Sequence, residues 1–227
     1  PNAEVLVDEI ELAKFIDGLQ LYAHGKAITP RDYQIDAILH GLRNLRSVLV
    51  SPTASGKSLV IYILLRWYLE ENPNKKVLLI VPTTSLVEQL YSDFADYSTA
   101  NGWDVSANVH RIYQGKDKNT TLPLTISTWQ SLYTQPKEYF EQFDFIMGDE
   151  AHLFKAQSLV TIMSSCINSK YRIGLTGTLD GTKTHKLVLE GLFGITEKVT
   201  TTKELMDNKQ IADFKIKCLV LKHDDEI

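Results

Sequence analysis

The chain has 227 residues, 44% hydrophobic and 23% charged, and its 24 Lys and Arg against 28 Asp and Glu give a net charge of −4. That apolar content excludes a disordered protein, and no run approaches the roughly 20 apolar residues of a membrane helix. The acidic balance argues against gripping nucleic acid by bulk charge and leaves local contacts through backbone N–H groups and a few lysines. At about 150 residues per domain, the length fits one large domain or a domain with an appendage. The N-terminal stretch PNAEVLVDEIELAK carries Asp and Glu where a signal peptide carries Lys or Arg. Cys166 and Cys218 lie 52 positions apart without a CxxC pattern. Two buried thiols in a reducing cytoplasm are expected there, not a disulfide framework or a zinc site.

In chain order, residues 8–20 place Leu12, Phe15, Ile16 and Leu19 on one face of a short helix. Thr29 before Pro30 reads as an N-cap and first helical position, opening a helix over 30–43. A strand at 47–50, a helix at 57–71, a strand at 77–81 and a helix at 85–97 follow. Asn101-Gly102 and Gln114-Gly115 are turn signals around a strand within 105–113. Strands are then expected at 124–127, 143–147 and 171–175, and helices at 157–167 and 183–192. Thr201-Thr202-Lys203-Glu204 is a capping-box pattern for a helix to about 208, before an extended run at 214–221. Near-continuous apolar strands alternating with amphipathic stretches predict an α/β domain, a doubly wound and mostly parallel sheet.

Two segments carry chemistry. After the strand at 47–50 comes Ser51-Pro52-Thr53-Ala54-Ser55-Gly56-Lys57-Ser58, then a helix. This is the GxxxxGK[ST] phosphate loop with Ser51 in place of the first glycine. The N–H groups of Thr53, Ala54, Ser55 and Gly56 would converge on phosphate oxygens at a helix start. Lys57 would reach the β- and γ-phosphates, and the Ser58 hydroxyl would hold Mg²⁺. The second segment, Asp149-Glu150-Ala151-His152, lies 92 positions after Lys57 and ends a buried strand. Carboxylates at the carboxyl end of such a strand lie where α/β sheets bind ligands. Asp149 would hold Mg²⁺ opposite Ser58, and Glu150 would act as general base on the attacking water. Chance produces GK[ST] in roughly one chain in ten of this length and DEAH in on the order of one in a thousand. Together they point to nucleotide hydrolysis.

The phosphate loop followed by DEAH resembles the first RecA-like domain of superfamily 2 helicases, and further motifs stand in the same order. Arg31-Asp32-Tyr33-Gln34 is similar to the family's upstream adenine motif, where a Gln amide can pair with the adenine edge. Pro82-Thr83-Thr84-Ser85-Leu86-Val87-Glu88-Gln89 is similar to motif Ia, and Ser127-Thr128-Trp129-Gln130-Ser131 to motif Ib. The resemblance makes Thr83, Thr84, Ser127, Thr128, Trp129 and Gln130 candidate nucleic-acid contacts. Thr176-Gly177-Thr178 matches motif III, which in the family couples the nucleotide site to nucleic-acid movement through the DEAH histidine, here His152. Gly177 departs from the commoner S/T-A-T form.

Through the stretches GDEAHLFK at 148–155, GTLDGT at 177–182 and KVTTTKELM at 198–206, the chain as a whole most resembles the UvsW-type recombination helicases of T-even-like bacteriophages. That resemblance implies ATP and Mg²⁺ as cofactors and forked or four-way DNA as partner. It also implies a monomer without a membrane anchor, acting in the host cytoplasm. The expected division is a flank at 1–27, the ATP-binding domain at 28–196, and a segment at 197–227 leading to a second RecA-like domain. Such a fragment is expected to bind ATP–Mg²⁺ weakly and hydrolyse it poorly. A double-stranded DNA translocase, an RNA helicase and a nucleotide-binding module without turnover remain open from the residues alone. Lys116, Lys118, Lys183 and Lys186 are read as solvated surface.

Overall fold

A computed structural model describes residues 7–113, 117–153, 156–177 and 183–212. Asp8 caps α1 (Glu9–Leu19) by accepting the Ile10 N–H. This helix buries Leu12, Ile16 and Leu19 and sets Phe15 edge-on against Trp67 at 5.0 Å. A small antiparallel hairpin follows, β1 (Tyr22–Ala23) and β2 (Lys26–Ala27), turning through His24 and Gly25, both with positive φ. The chain continues through α2 (Asp32–Asn44), β3 (Arg46–Val50), α3 (Lys57–Glu71), β4 (Val77–Val81) and α4 (Thr84–Tyr97). The short α5 (Val105–Asn108) leads into β5 (Val109–Ile112), then β6 (Leu124–Thr128), α6 (Trp129–Leu132), α7 (Lys137–Phe140) and β7 (Phe145–Gly148). Last come a 3₁₀ turn at Ala151–Leu153, α8 (Ala156–Ser165), β8 (Tyr171–Thr176), α9 (Lys183–Leu192), β9 (Ile195–Lys198) and α10 (Thr202–Asp207).

Among the described residues, seven strands form one sheet in the order β5-β6-β4-β7-β8-β3-β9, and every pairing in it is parallel. Alternate strand residues feed two cores, because successive side chains leave a strand on opposite faces. Leu49, Leu79, Ile126, Met147 and Leu175 pack with α1 to α4, while Val48, Leu78, Ile80 and Ile146 pack with α6 to α9. This is the doubly wound sheet expected. Because all seven strands run the same way, their carboxyl ends share one edge. The segments after β3, β4, β6, β7 and β8 all emerge there.

The differences from expectation have local causes. Helix α2 begins at Asp32, two residues after Pro30, because Gln34 folds back and its carbonyl accepts the Arg31 N–H at 2.9 Å. The strand expected from 143 starts at Phe145, since the Phe143 N–H closes a turn onto Phe140 and Asp144 pairs with Lys75 at 2.7 Å. The stretch 105–113 splits, because Asp104 caps a helical turn by accepting from Ser106. Strand β9 shows no apolar pattern, with Ile195 82% exposed on the outer edge of the sheet. It crosses the expected boundary at 196. The expected capping box is present, with Glu204 accepting the Thr201 N–H at 2.7 Å and Thr201 accepting the Glu204 N–H at 3.1 Å. Cys166 is buried and its thiol is pushed up to about 12 by that burial. Cys218 and the run at 214–221 lie outside the described residues.

Candidate nucleotide site

The loop after β3 is held from both sides. The Ser51 N–H donates to the Thr176 carbonyl at the end of β8, and the Ser51 and Ser55 hydroxyls lie 2.6 Å apart, buried. Ala54 and Gly56 both adopt left-handed φ, 67° and 78°. Such a residue other than glycine costs about 1–3 kcal/mol and is found where a backbone must present its N–H groups in one direction. Gly56 is the N-cap of α3, and a Cβ there would run into the Gln34 amide nitrogen. Gln34 is 4% exposed. Its amide donates to the Ser55 carbonyl at 2.9 Å while its oxygen caps Arg31. Both ends of the carboxamide are therefore engaged, one on the loop and one on the start of α2, and pairing with a base would require one of them to let go. The Tyr33 hydroxyl donates to the same Ser55 carbonyl at 2.8 Å and receives Arg31 at 3.0 Å.

Lys57 and Glu150 meet beneath this loop. Lys57 Nζ lies 3.0 Å from Glu150 Oε1, with the two side chains 11% and 24% exposed, and Nζ also donates to the Ser51 carbonyl at 3.4 Å. The other Glu150 oxygen accepts the Gly177 N–H at 3.3 Å and lies 3.4 Å from His152 Nδ1. That imidazole nitrogen is 2.7 Å from the Thr176 hydroxyl. Glu150 itself has φ 49°, a strained turn that aims its carboxylate back at the loop. The sheet order explains the meeting, since β8 lies between β7 and β3 and its carboxyl end bridges the two. A Cβ at Gly177 would make only ordinary contacts with Lys57, Thr53 and Glu150. Gly177 thus widens the space between them. Thr178 lies outside the described residues.

Asp149 is 4% exposed, and its Oδ1 accepts the Glu150 N–H at 2.9 Å. Burial first, then the Glu150 charge, push its carboxyl up to about 6, against a smaller pull from Lys57. A buried carboxylate without a bound cation is costly. Ser58 does not turn toward it. The Ser58 hydroxyl lies 2.8 Å from the Tyr97 hydroxyl on α4. Burial raises both the Asp93 carboxyl and the Tyr97 phenol above their ordinary values, with the Ser58 contact pulling the other way in each. Sequence reading missed Asp93, Tyr97 and the loop-holding role of Tyr33. Asp93 and Tyr97 have no motif spacing, and only the packing of α4 on α3 brings them to Ser58.

Farther along the same edge, Thr83 caps α4 by accepting the Leu86 N–H at 3.3 Å, and both Thr83 and Thr84 face solvent. Gln130 is exposed and reaches the Pro82 carbonyl at 3.3 Å, tying the start of α6 to the segment before α4. Trp129 is half-buried. Ser127 and Thr128 are buried, and their hydroxyls are engaged with the Thr128 carbonyl and the Ser131 hydroxyl. No described helix is long and apolar enough to cross a membrane.

Comparison with known proteins agrees with these features. The family model described as type III restriction enzyme, res subunit, matches residues 27–181. The chain is 38% identical over 217 residues to the ATP-dependent DNA helicase uvsW of Enterobacteria phage T4, covering 94% of this chain and 42% of that protein. It is 28% identical over 229 residues to the DNA 3'-5' translocase XPB2 of Sulfurisphaera tokodaii, covering 97% of this chain and 47% of that one. The crystal structure of the UvsW helicase from bacteriophage T4 superposes with a TM-score of 0.78 at 36% identity, covering 87% of this chain and 70% of that one. The chain thus spans less than half the length of these two curated relatives. Since the matched region takes in both the phosphate loop and the DEAH segment, the chain belongs to the family described as type III restriction enzyme, res subunit, within the superfamily 2 helicases that its motifs resemble.

Proposed function

We propose that this chain is the first motor domain of an ATP-dependent DNA helicase, coupling ATP hydrolysis to the unwinding and branch migration of branched DNA. One observation carries the reading: Lys57, Glu150, His152 and Thr176 form a continuous polar chain under the loop at 51–58. In this reading Lys57 leaves Glu150 for the β- and γ-phosphates when ATP enters, and the loop N–H groups from Thr53 to Gly56 receive the remaining oxygens. Freed from Lys57, Glu150 takes the proton of the attacking water. His152 and Thr176 would then sense the change at Glu150 and pass it toward the nucleic-acid edge. Arg31 and Gln34 lie on the adenine side. Thr83, Thr84, Trp129 and Gln130 would meet phosphates or bases, with Ser127 and Thr128 shaping the turn from behind.

The residues suit Mg²⁺: Asp149 and Ser58 offer hard oxygens, and a divalent ion usually takes one or two such ligands beside the substrate phosphates. Bound there with ATP, Mg²⁺ would neutralise charge developing on the phosphates. A second RecA-like domain in cis would supply arginines to the γ-phosphate, a contribution of about 10³–10⁵ in rate. The chain at 28–196 would then be the ATP-binding domain, flanked by 1–27 and 197–227. The protein would act as a monomer in the cytoplasm of a phage host.

The test is ATP turnover by a protein that joins this chain to its second motor domain, with forked DNA, linear duplex and RNA in turn. Forked DNA is expected to stimulate most, and Lys57→Ala to reduce turnover about 10²–10³-fold. Stimulation by RNA or linear duplex alone would replace branched DNA as the substrate. Unchanged turnover in Lys57→Ala would remove the hydrolytic reading itself.

A further inference from the structure

We propose that Tyr33 is a positioning residue of the phosphate loop: its hydroxyl, with the Gln34 amide, fixes the Ser55–Gly56 peptide so that the Gly56 N–H faces the phosphates of the nucleotide. The inference deepens the nucleotide reading above and rests on it. The backbone groups around this peptide are committed on three sides. The Ser55 N–H closes a turn onto the Pro52 carbonyl at 3.2 Å. The Gly56 carbonyl turns into α3, accepting the Leu59 N–H at 3.1 Å and the Val60 N–H at 3.4 Å. Between them the Ser55 carbonyl receives two donors from the first turn of α2, the Tyr33 hydroxyl at 2.8 Å and the Gln34 amide at 2.9 Å. Among the described residues nothing accepts the Gly56 N–H.

A peptide unit is planar and trans, so its C=O and N–H point in opposite directions. Two donors that hold the Ser55 oxygen toward α2 therefore aim the Gly56 N–H the other way, at the start of α3. N–H groups so placed are what phosphate oxygens take at a helix start. The anchor matters because Gly56, at φ 78°, is the residue of the loop freest to change conformation. A flip of this peptide would turn a carbonyl oxygen to the phosphates and repel them. Arg31 completes the arrangement by donating to the Tyr33 hydroxyl at 3.0 Å, and a hydroxyl that accepts such a bond is the stronger donor. Were Gln34 drawn onto a base, Tyr33 would remain as donor to the Ser55 carbonyl, so base recognition need not loosen the loop.

The test uses Tyr33→Phe, which removes one oxygen and keeps the ring. Binding is read on the protein that joins this chain to its second motor domain, well below the Tm of parent and variant. The probes are fluorescent methylanthraniloyl-ATP and, as its competitor, inorganic tripolyphosphate, which carries phosphates and no base. Both are expected to bind more weakly by the same factor, about 3–10-fold, the worth of one hydrogen bond. Parental affinity for both probes would overturn the inference, even with a lowered Tm, and leave Tyr33 a contact that only holds α2 to the loop. A loss for the ATP analogue with tripolyphosphate unchanged would also overturn it, by placing Tyr33 on the base. Failure of the underlying reading looks different: the parent protein would bind neither probe, or tripolyphosphate would fail to displace the ATP analogue from it.

Discussion

Glu150→Gln is expected to slow single-turnover ATP hydrolysis about 10²–10⁴-fold, the usual contribution of a general base. Nucleotide affinity should stay within a few-fold of the parent, or tighten slightly. The reason is the ion pair: Glu150 Oε1 holds Lys57 Nζ at 3.0 Å, and glutamine removes the charge that competes with phosphate for that ammonium. The amide oxygen can still accept the Gly177 N–H, so the turn at 149–152 keeps its shape. Single-turnover hydrolysis and fluorescent-nucleotide binding on the same preparation separate the two effects. Parental hydrolysis in the variant would remove Glu150 from the chemistry. Lost binding would recast it as a structural partner of Lys57.

Asp149→Asn is expected to stabilise the metal-free protein while removing the Mg²⁺ dependence of nucleotide binding. The folded-state carboxyl of Asp149 is pushed up to about 6, mainly by burial, from an ordinary value near 3.8. Between those values the folded chain holds a proton that the unfolded chain has released. The Asp149 contribution to stability is therefore most favourable below about pH 4, declines as pH rises toward 6, and at neutral pH amounts to a cost of about 2–3 kcal/mol. Asparagine avoids the cost and keeps an oxygen for the Glu150 N–H. Thermal denaturation in EDTA at pH 7.5 should show a Tm higher by about 5 °C, at about 2–4 °C per kcal/mol for this size. The gain should vanish near pH 4, where the parent carboxyl is already neutral. A lower Tm at pH 7.5 would mean that the carboxylate is satisfied in the folded chain without a cation. Stability surrendered at a buried charge is a common feature of functional sites.

The fold was legible where strands are buried on both faces. Val77 to Val81 is an unbroken apolar run, and the strand occupies those positions. Strand β9 was not, because Ile-Thr-Glu-Lys at an exposed edge has nothing to alternate against. The hairpin at Tyr22–Ala27 was missed for a related reason: strands of two residues are shorter than any period. In the site, local spacing found the loop at 51–58 and Asp149 to His152, since each is a contiguous requirement of phosphate chemistry. What the loop rests on came from tertiary packing. Tyr97 meets Ser58 across 39 positions and Gln34 meets Ser55 across 21, and no pattern in either segment foretells the other. Gln34 shows the limit most plainly, for a motif glutamine expected to face a base has its amide committed to the loop carbonyl beside it.

The most direct test of the nucleotide site is a crystal structure of the chain with a non-hydrolysable ATP analogue and Mg²⁺. The phosphates should lie in the loop from Ser51 to Ser58, with Lys57 moved off Glu150 onto the β- and γ-phosphate oxygens. Phosphates bound elsewhere, or an analogue bound with the Lys57–Glu150 pair intact, would contradict it.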